Sequence, residues 1–266
     1  MGSLKECFDK DKNRCNFIPY ISLGDPEYAL SVEWAKALID GGADILELGI
    51  PFSDPVADGP VIQKSYMRAL AKGFSMDKVL ETTKQIHSYK PDIPLVYLTY
   101  LNPIISYGEE KFFKKAYASG IRGIVLPDLP FDSKDSKFVF SMAKESEIDI
   151  IHLITPASSK ERIAAIKKIA SGFIYYVTSY GVTGERSNFA QDLKKRIESV
   201  KKTLMLPICA GFGISTAEQA KTISAYSDGI IIGSAIQRII EEKSSHVDAC
   251  ARALNEYAKE IAKAIH

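Results

Sequence analysis

Along this chain, short runs of β-branched and aromatic residues recur between longer stretches in which apolar positions return every three or four residues. The runs at 17–23, 44–49, 95–100, 123–127, 149–154, 172–178, 204–210 and 229–233 have the length and composition of strands. The stretches at 32–40, 76–88, 109–118, 135–145, 160–170, 189–201, 216–225 and 235–241 predict amphipathic helices. Asp40-Gly41-Gly42, Ser119-Gly120 and Ser171-Gly172 each close a helix and precede a strand, as expected of glycines in the left-handed C′ position. Runs such as Ile230-Ile231-Ile232 are apolar on both faces, which fits a parallel sheet covered by helices. Eight such units, with no Pro/Ser/Gly-rich linker between them, predict a closed (β/α)8 (TIM) barrel occupying one domain, 1–266, in preference to an open doubly wound sheet. Val247, Leu254, Tyr257, Ile261 and Ile265 share a helical face, so an extra terminal helix is expected on the outside of the barrel.

Charge narrows the partners. The 34 Lys+Arg and 33 Asp+Glu nearly cancel, leaving +1, without the basic footprint that nucleic acid or an anionic membrane surface requires. No apolar run exceeds the five residues 173–177, whereas a membrane span needs about 20. The first ten residues carry no apolar h-region, and a soluble, cytoplasmic protein is expected. Cys7, Cys15, Cys209 and Cys250 are scattered and read as free thiols, and the four histidines form no metal-binding cluster.

In a barrel of this kind, chemistry gathers where strands end and βα loops begin. Glu47 lies between Leu46 and Leu48, so if the leucines face the helices, alternation turns the carboxylate into the barrel. There it is either an unpaired acid with a raised pKa or half of an internal salt bridge. Asp54 and Asp58 follow in a proline-punctuated loop whose Ser-Asp-Pro and Ala-Asp-Gly are also good turn sequences. Asp25 and Asp128 could simply hold their loops. Three late segments, 180–184, 211–215 and 233–235, are glycine-rich, and a helix starting at Ser234 would offer N–H groups and a hydroxyl to a phosphate. Gly211-Phe212-Gly213 is not a dinucleotide fingerprint, because Thr216 stands where its third glycine belongs. Tyr100, Tyr175 and Phe212, at strand ends, would wall a pocket suited to a flat apolar substrate with a phosphate tail.

The run 46–59 resembles the signature of the tryptophan synthase α subunit family, and the likeness extends through 19–26, 126–130, 181–184, 210–214 and 233–235 to all eight units. The resemblance implies cleavage of indole-3-glycerol phosphate to indole and glyceraldehyde 3-phosphate. It also implies Glu47 and Asp58 as catalytic residues, and phosphate contacts at Gly184, Gly213, Gly233 and Ser234. Pocket aromatics fall at Tyr100, Tyr175 and Phe212, and Thr183 on a closing loop. The family pairs with a pyridoxal-phosphate-dependent β subunit in an α2β2 heterotetramer, with Pro51 and Asp54 toward the contact, and no cofactor or metal is expected in this chain. Ser22 stands where many members carry Thr, Tyr20 where some carry Phe, and Val177-Thr178 where Val-Ser is common. In the implied reaction, indole C3 is protonated before the C–C bond breaks; Glu47 would move the protons, and Asp58 would stabilise charge on the ring nitrogen. Other readings are a catalytically weak regulator of a β subunit, another phosphate-binding barrel such as a sugar-phosphate isomerase, and a lyase that acts without a partner.

Overall fold

Eight parallel strands close on one another in sequence order: β1 (Asn16–Ser22), β2 (Leu46–Gly49), β3 (Leu95–Leu98), β4 (Ile121–Val125), β5 (Asp149–Ile154), β6 (Ile174–Val177), β7 (Ile208–Gly211) and β8 (Gly229–Ile232), with β8 pairing back onto β1. The structure is a computed structural model that describes residues 4–11, 14–130, 133–178, 186–211 and 213–266. Around the barrel run α1 (Leu4–Asp9), α2 (Tyr28–Asp40), α3 (Pro60–Ala71), α4 (Met76–Tyr89), α5 (Leu101–Tyr107) and α6 (Glu109–Ala118). They are followed by α7 (Lys134–Glu145), α8 (Lys160–Ile166), α9 (Arg186–Leu204), α10 (Ala217–Ser224), α11 (Ser234–Lys243) and α12 (Val247–Ile265). Among the described residues, no helix is long and apolar enough to cross a membrane.

Strand alternation divides the apolar residues into two cores. Ile18, Ile45, Val96, Val125, Ile151, Cys209 and Ile231 fill the barrel. Their neighbours in sequence, including Phe17, Leu46, Leu48, Tyr97, Ile124, Ile150 and Ile230, pack outward against the helices. With both faces covered, the strands have the two-sided apolar character seen in the sequence. Glu47 lies between outward-facing Leu46 and Leu48 and is 2% exposed. Gly42, Gly120 and Gly172 all take positive φ (106°, 101° and 67°), as their helix-closing positions require.

Several elements depart from the sequence expectation. The eight predicted helices and the terminal one are present, but α1, α3 and α5 add to them. The six-residue α1 is too short to show a period; its Leu4 and Phe8 enter the barrel core, with the Phe8 ring 5.8 Å from that of Phe173. In α3, started by Pro60 at its first position, Ser65 and Tyr66 share the buried face with Ile62 and Ala69, so polar atoms interrupt the apolar stripe. The start of α5 is held by Asp128, whose carboxylate accepts the Leu101 N–H at 3.0 and 3.1 Å. Leu204, expected to open the seventh strand, instead ends α9; after Met205 turns at φ 58°, β7 begins at Ile208. The terminal α12 buries Cys250, Leu254, Ala258, Ile261, Ala262 and Ile265. Its Tyr257 hydroxyl donates to the Ser215 carbonyl at 3.0 Å, in the loop after β7.

Candidate active site

At the C-terminal end of the strands a cavity of about 260 Å³ opens. Glu47 enters it from β2, in register with Tyr20 of β1 and Val96 of β3. Its Oε1 is buried without a hydrogen-bond partner, and no described residue forms an ion pair with it, so the internal salt bridge left open by the sequence does not form. Burial, and then the negative charge of Asp58, push its carboxyl up to about 8. Glu47 is thus a neutral acid at pH 7 that stands one small step from ionisation.

Asp58 reaches the same cavity from the loop between β2 and α3. Tyr100, at the end of β3, donates its hydroxyl to Asp58 Oδ2 at 2.6 Å and accepts the Ala57 N–H at 3.1 Å, pinning the loop at two points. Burial raises the Asp58 carboxyl to about 6, and the Tyr100 hydrogen bond opposes the rise. Two carboxyls in one cavity therefore have separated affinities for protons, the pattern that assigns one as acid and the other as anion. Asp58 also serves the turn, since Gln63 Nε2 donates to its carbonyl at 2.8 Å. Tyr100 does not itself line the cavity, as the sequence expected, but stands behind Asp58.

Tyr20 forms a further wall. Its hydroxyl donates to Tyr66 at 3.0 Å and shares a hydrogen bond with Ser22 Oγ at 2.9 Å, while Ser22 Oγ meets Ser65 Oγ at 2.6 Å. The glycines that end β2 and β7 make room for aromatic side chains: a Cβ at Gly49 would lie 2.0 Å from the Tyr20 hydroxyl, and one at Gly211 would lie 2.6 Å from that of Tyr175. Tyr175 lines the cavity as expected.

The cavity wall also includes Gly213, Gly233 and Ser234, with α11 beginning at Ser234. The first turn of that helix contains no acidic residue, so its free N–H groups and dipole face the cavity without a competing anion. The helix is fixed in place by polar contacts, some of them buried. Arg68 of α3 grips Asp25 through two 2.8 Å hydrogen bonds and reaches Glu241 of α11 at 3.1 Å. Gln237 of α11, its amide oriented to donate to Asp25 Oδ2 at 3.0 Å, accepts the Ser22 N–H at 2.6 Å. Asp25 therefore holds its loop, as the sequence allowed, but also ties it to two helices.

Of the other residues singled out in the sequence, Thr183, Gly184 and Phe212 lie outside the described residues. Pro51 is buried in this chain, whereas Asp54, whose Oδ2 accepts from Ser53 Oγ at 2.5 Å, is exposed beside Val56, itself 82% exposed. Sequence reasoning missed Ile62, Leu98 and Leu153, which line the cavity as ordinary apolar residues with no distinguishing signal. It also missed Arg238, the one basic residue among the described cavity-lining residues. The available clue was its position four residues after Ser234. A larger open groove between α4 and α6, about 770 Å³, is lined by side chains such as Asp77, Lys84 and Lys115 and by none of the cavity's carboxyls.

Comparisons with known proteins agree with this geometry. A family profile described as "Tryptophan synthase alpha chain" matches residues 7–266. A tryptophan synthase alpha chain from Leptospira interrogans is 59% identical, the match spanning 98% of each chain, and one from Leptospira biflexa is 56% identical over the full length of both. Among solved structures, tryptophan synthase subunit alpha from Legionella pneumophila superposes with a TM-score of 0.91 at 34% identity, covering 100% of this chain and 98% of that one. A chain of tryptophan synthase from M. tuberculosis, in an aminoacrylate-bound form, gives 0.86 at 30% identity over 100% of both.

Proposed function

The chain belongs to the tryptophan synthase alpha chain family, and from that premise we propose how its residues divide the work of the reaction. It is a carbon–carbon lyase, the alpha subunit that cleaves indole-3-glycerol phosphate to indole and glyceraldehyde 3-phosphate and passes indole to a beta subunit. The assignment of roles rests above all on Glu47, a buried carboxyl without a hydrogen-bond partner at Oε1, in a cavity that also holds Asp58 and the start of α11.

An aromatic indole carbon is a poor leaving group, so the ring must first become an electron-poor indolenine. Glu47, neutral near pH 7, gives its proton to C3. Asp58, the more acidic carboxyl, accepts the ring N–H and stabilises the positive charge that develops on nitrogen. The Glu47 carboxylate so formed takes the proton of the glycerol hydroxyl as the C–C bond breaks, which returns it to its starting state. Tyr100 keeps Asp58 aimed, while Tyr20 and Tyr175 flank the ring. Gly213, Gly233 and Ser234, with Gly184, hold the phosphate, so that binding energy remote from the reacting carbon aligns it with Glu47. The residues of this chain need no cofactor for these steps. An indole-release assay on the purified chain, with and without a beta subunit, tests the reading directly.

The phosphate end makes a specific prediction. Ser234→Asp puts a carboxylate at the helix N-terminus where the substrate's anion belongs. Such a position tolerates an acidic side chain, so the fold is retained. Binding of glycerol 3-phosphate by calorimetry is expected to weaken at least tenfold, as an order-of-magnitude figure. Unchanged affinity would move the phosphate elsewhere.

Residues 1–266 act as one barrel domain, since α1 enters the barrel core and α12 packs against α2 and α10. Four free thiols suit the reducing cytoplasm. The partner is a pyridoxal-phosphate-dependent beta subunit in an α2β2 heterotetramer, and the exposed stretch holding Ser53, Asp54 and Val56 is proposed as part of the contact, with Pro51 buttressing it from within. This stretch leads directly to Asp58, so a partner bound there acts on a catalytic loop. The other loop expected to respond, 179–189, falls outside the described residues at 179–185. A partner that favours the productive loop by about 1.4 kcal/mol raises turnover tenfold. Added beta subunit is therefore expected to raise indole release at least about tenfold, with a smaller rise in Asp54→Ala. Full activity alone and no response to any beta subunit would favour the lyase that acts without a partner.

A further inference from the structure

We propose that Arg238 is a specificity-determining residue that engages the phosphate dianion of the substrate, so that the phosphate end combines a helix N-terminus with a formal positive charge. The inference rests on the reading of Gly213, Gly233 and Ser234 as that end.

Four observations support it. Arg238 follows Ser234 by four residues on α11, about 6 Å along the helix, on the same face. Helical side chains lean toward the N-terminus, so the Arg238 stem covers the turn that Ser234 begins. The rotation of α11 is also fixed, because the preceding Gln237 is fully buried and hydrogen-bonded to Asp25 and Ser22. Arg238 accordingly lines the cavity.

The third observation is the absence of a competing partner. Glu241 and Glu242 lie three and four residues further on, where helical charge pairs ordinarily form. Yet Glu241 pairs with Arg68 at 3.1 Å, and among the described residues Arg238 makes no ion pair or hydrogen bond. Among the described residues, a guanidinium with two carboxylates within helical reach thus remains unpaired on the cavity wall. The fourth is charge balance. The described cavity wall contains two carboxyls, Glu47 and Asp58, and no other cation. With Glu47 neutral near pH 7, a doubly negative phosphate would still meet the Asp58 carboxylate on entry, and one arginine at the phosphate end offsets that charge. Its planar fork matches two phosphate oxygens at once and adds a full positive charge, which a serine hydroxyl does not.

The test uses the full chain and three probes: glycerol 3-phosphate, indole, and the condensation of indole with either glyceraldehyde 3-phosphate or unphosphorylated glyceraldehyde. Arg238 is exposed, so Arg238→Ala leaves the core untouched. That variant is expected to bind glycerol 3-phosphate at least about tenfold more weakly, with a shallower dependence on salt. KM for indole-3-glycerol phosphate should rise by a similar factor while kcat changes little. The preference for phosphorylated over unphosphorylated aldehyde should shrink by the same factor, indole binding should be unchanged, and Arg238→Lys should recover part of the loss. Wild-type affinity for glycerol 3-phosphate in Arg238→Ala overturns the proposal, as does an equal loss for indole, which would mean a distorted site. If Ser234→Asp still abolishes phosphate binding in that case, only the role of Arg238 fails. If neither variant affects it, the phosphate end itself is misassigned and both readings fall.

Discussion

Glu47→Gln is expected to lower the turnover of indole-3-glycerol phosphate by about 10²- to 10⁴-fold, the range for removal of a general acid/base, with KM little changed. Gln keeps the shape of the side chain but cannot exchange the proton that C3 must receive. In the wild type, kcat/KM should fall as pH rises through about 8, because Glu47 must start protonated, and this alkaline limb should be absent from the variant. In Glu47→Gln, stability should move in the opposite direction to activity. In the folded chain Glu47 stays neutral up to about 8, but in the unfolded chain it ionises above its ordinary value of 4.5. The raised folded value therefore favours the fold fully below 4.5, and that contribution is lost as pH rises toward 8. Relative to wild type, Glu47→Gln should gain up to ~1.4 kcal/mol per pH unit across this window, read from urea unfolding at pH 5 and pH 8. Near-normal turnover in the variant would remove Glu47 from the mechanism.

Asp58→Asn is expected to cost roughly 10²- to 10³-fold in turnover, the scale for loss of one oriented electrostatic group. The amide can still accept a hydrogen bond from Tyr100, so the loop remains pinned while the negative charge facing the indole nitrogen is gone. Glu47 then also loses a neighbouring anion that raises its pKa, and the alkaline limb should move to lower pH. This shift separates a charge effect from a packing effect, because a merely distorted loop would lower activity without moving the limb in a fixed direction. The limbs of the wild-type profile belong to the coupled pair rather than to either residue alone. A rise in KM with kcat intact would make Asp58 a binding residue.

The architecture was readable locally because each of its signals repeats within a few residues. Alternation with a period of two sends Glu47 inward once Leu46 and Leu48 face the helices, and the structure shows both leucines in the outer core. Glycines at 42, 120 and 172 mark helix ends because only their backbone takes positive φ there without strain. The site was readable less evenly. Ser234 was placed at a helix start from its glycine neighbour, and the helix does begin there. Asp58 looked like turn chemistry, and it is in a turn; its second role depends on Tyr100, 42 positions away, whose hydroxyl the barrel brings to 2.6 Å.

What local pattern could determine was direction: which side of a strand or helix a residue faces, where an element stops, and how many units the chain repeats. What it could not determine was company. The lack of a hydrogen-bond partner at Glu47 Oε1 among the described residues, the grip of Arg68 on Asp25 across 43 positions, and the place of Arg238 on the cavity wall all depend on which distant side chains arrive nearby. The arrival of α11, with Arg238, beside Glu47 and Asp25 follows only when β8 pairs with β1 and closes the ring. A carboxylate's pKa and an arginine's availability are set by burial and by charges within a few ångströms. Sequence neighbours supply little of that environment at the end of a barrel, where each adjoining loop comes from a different strand.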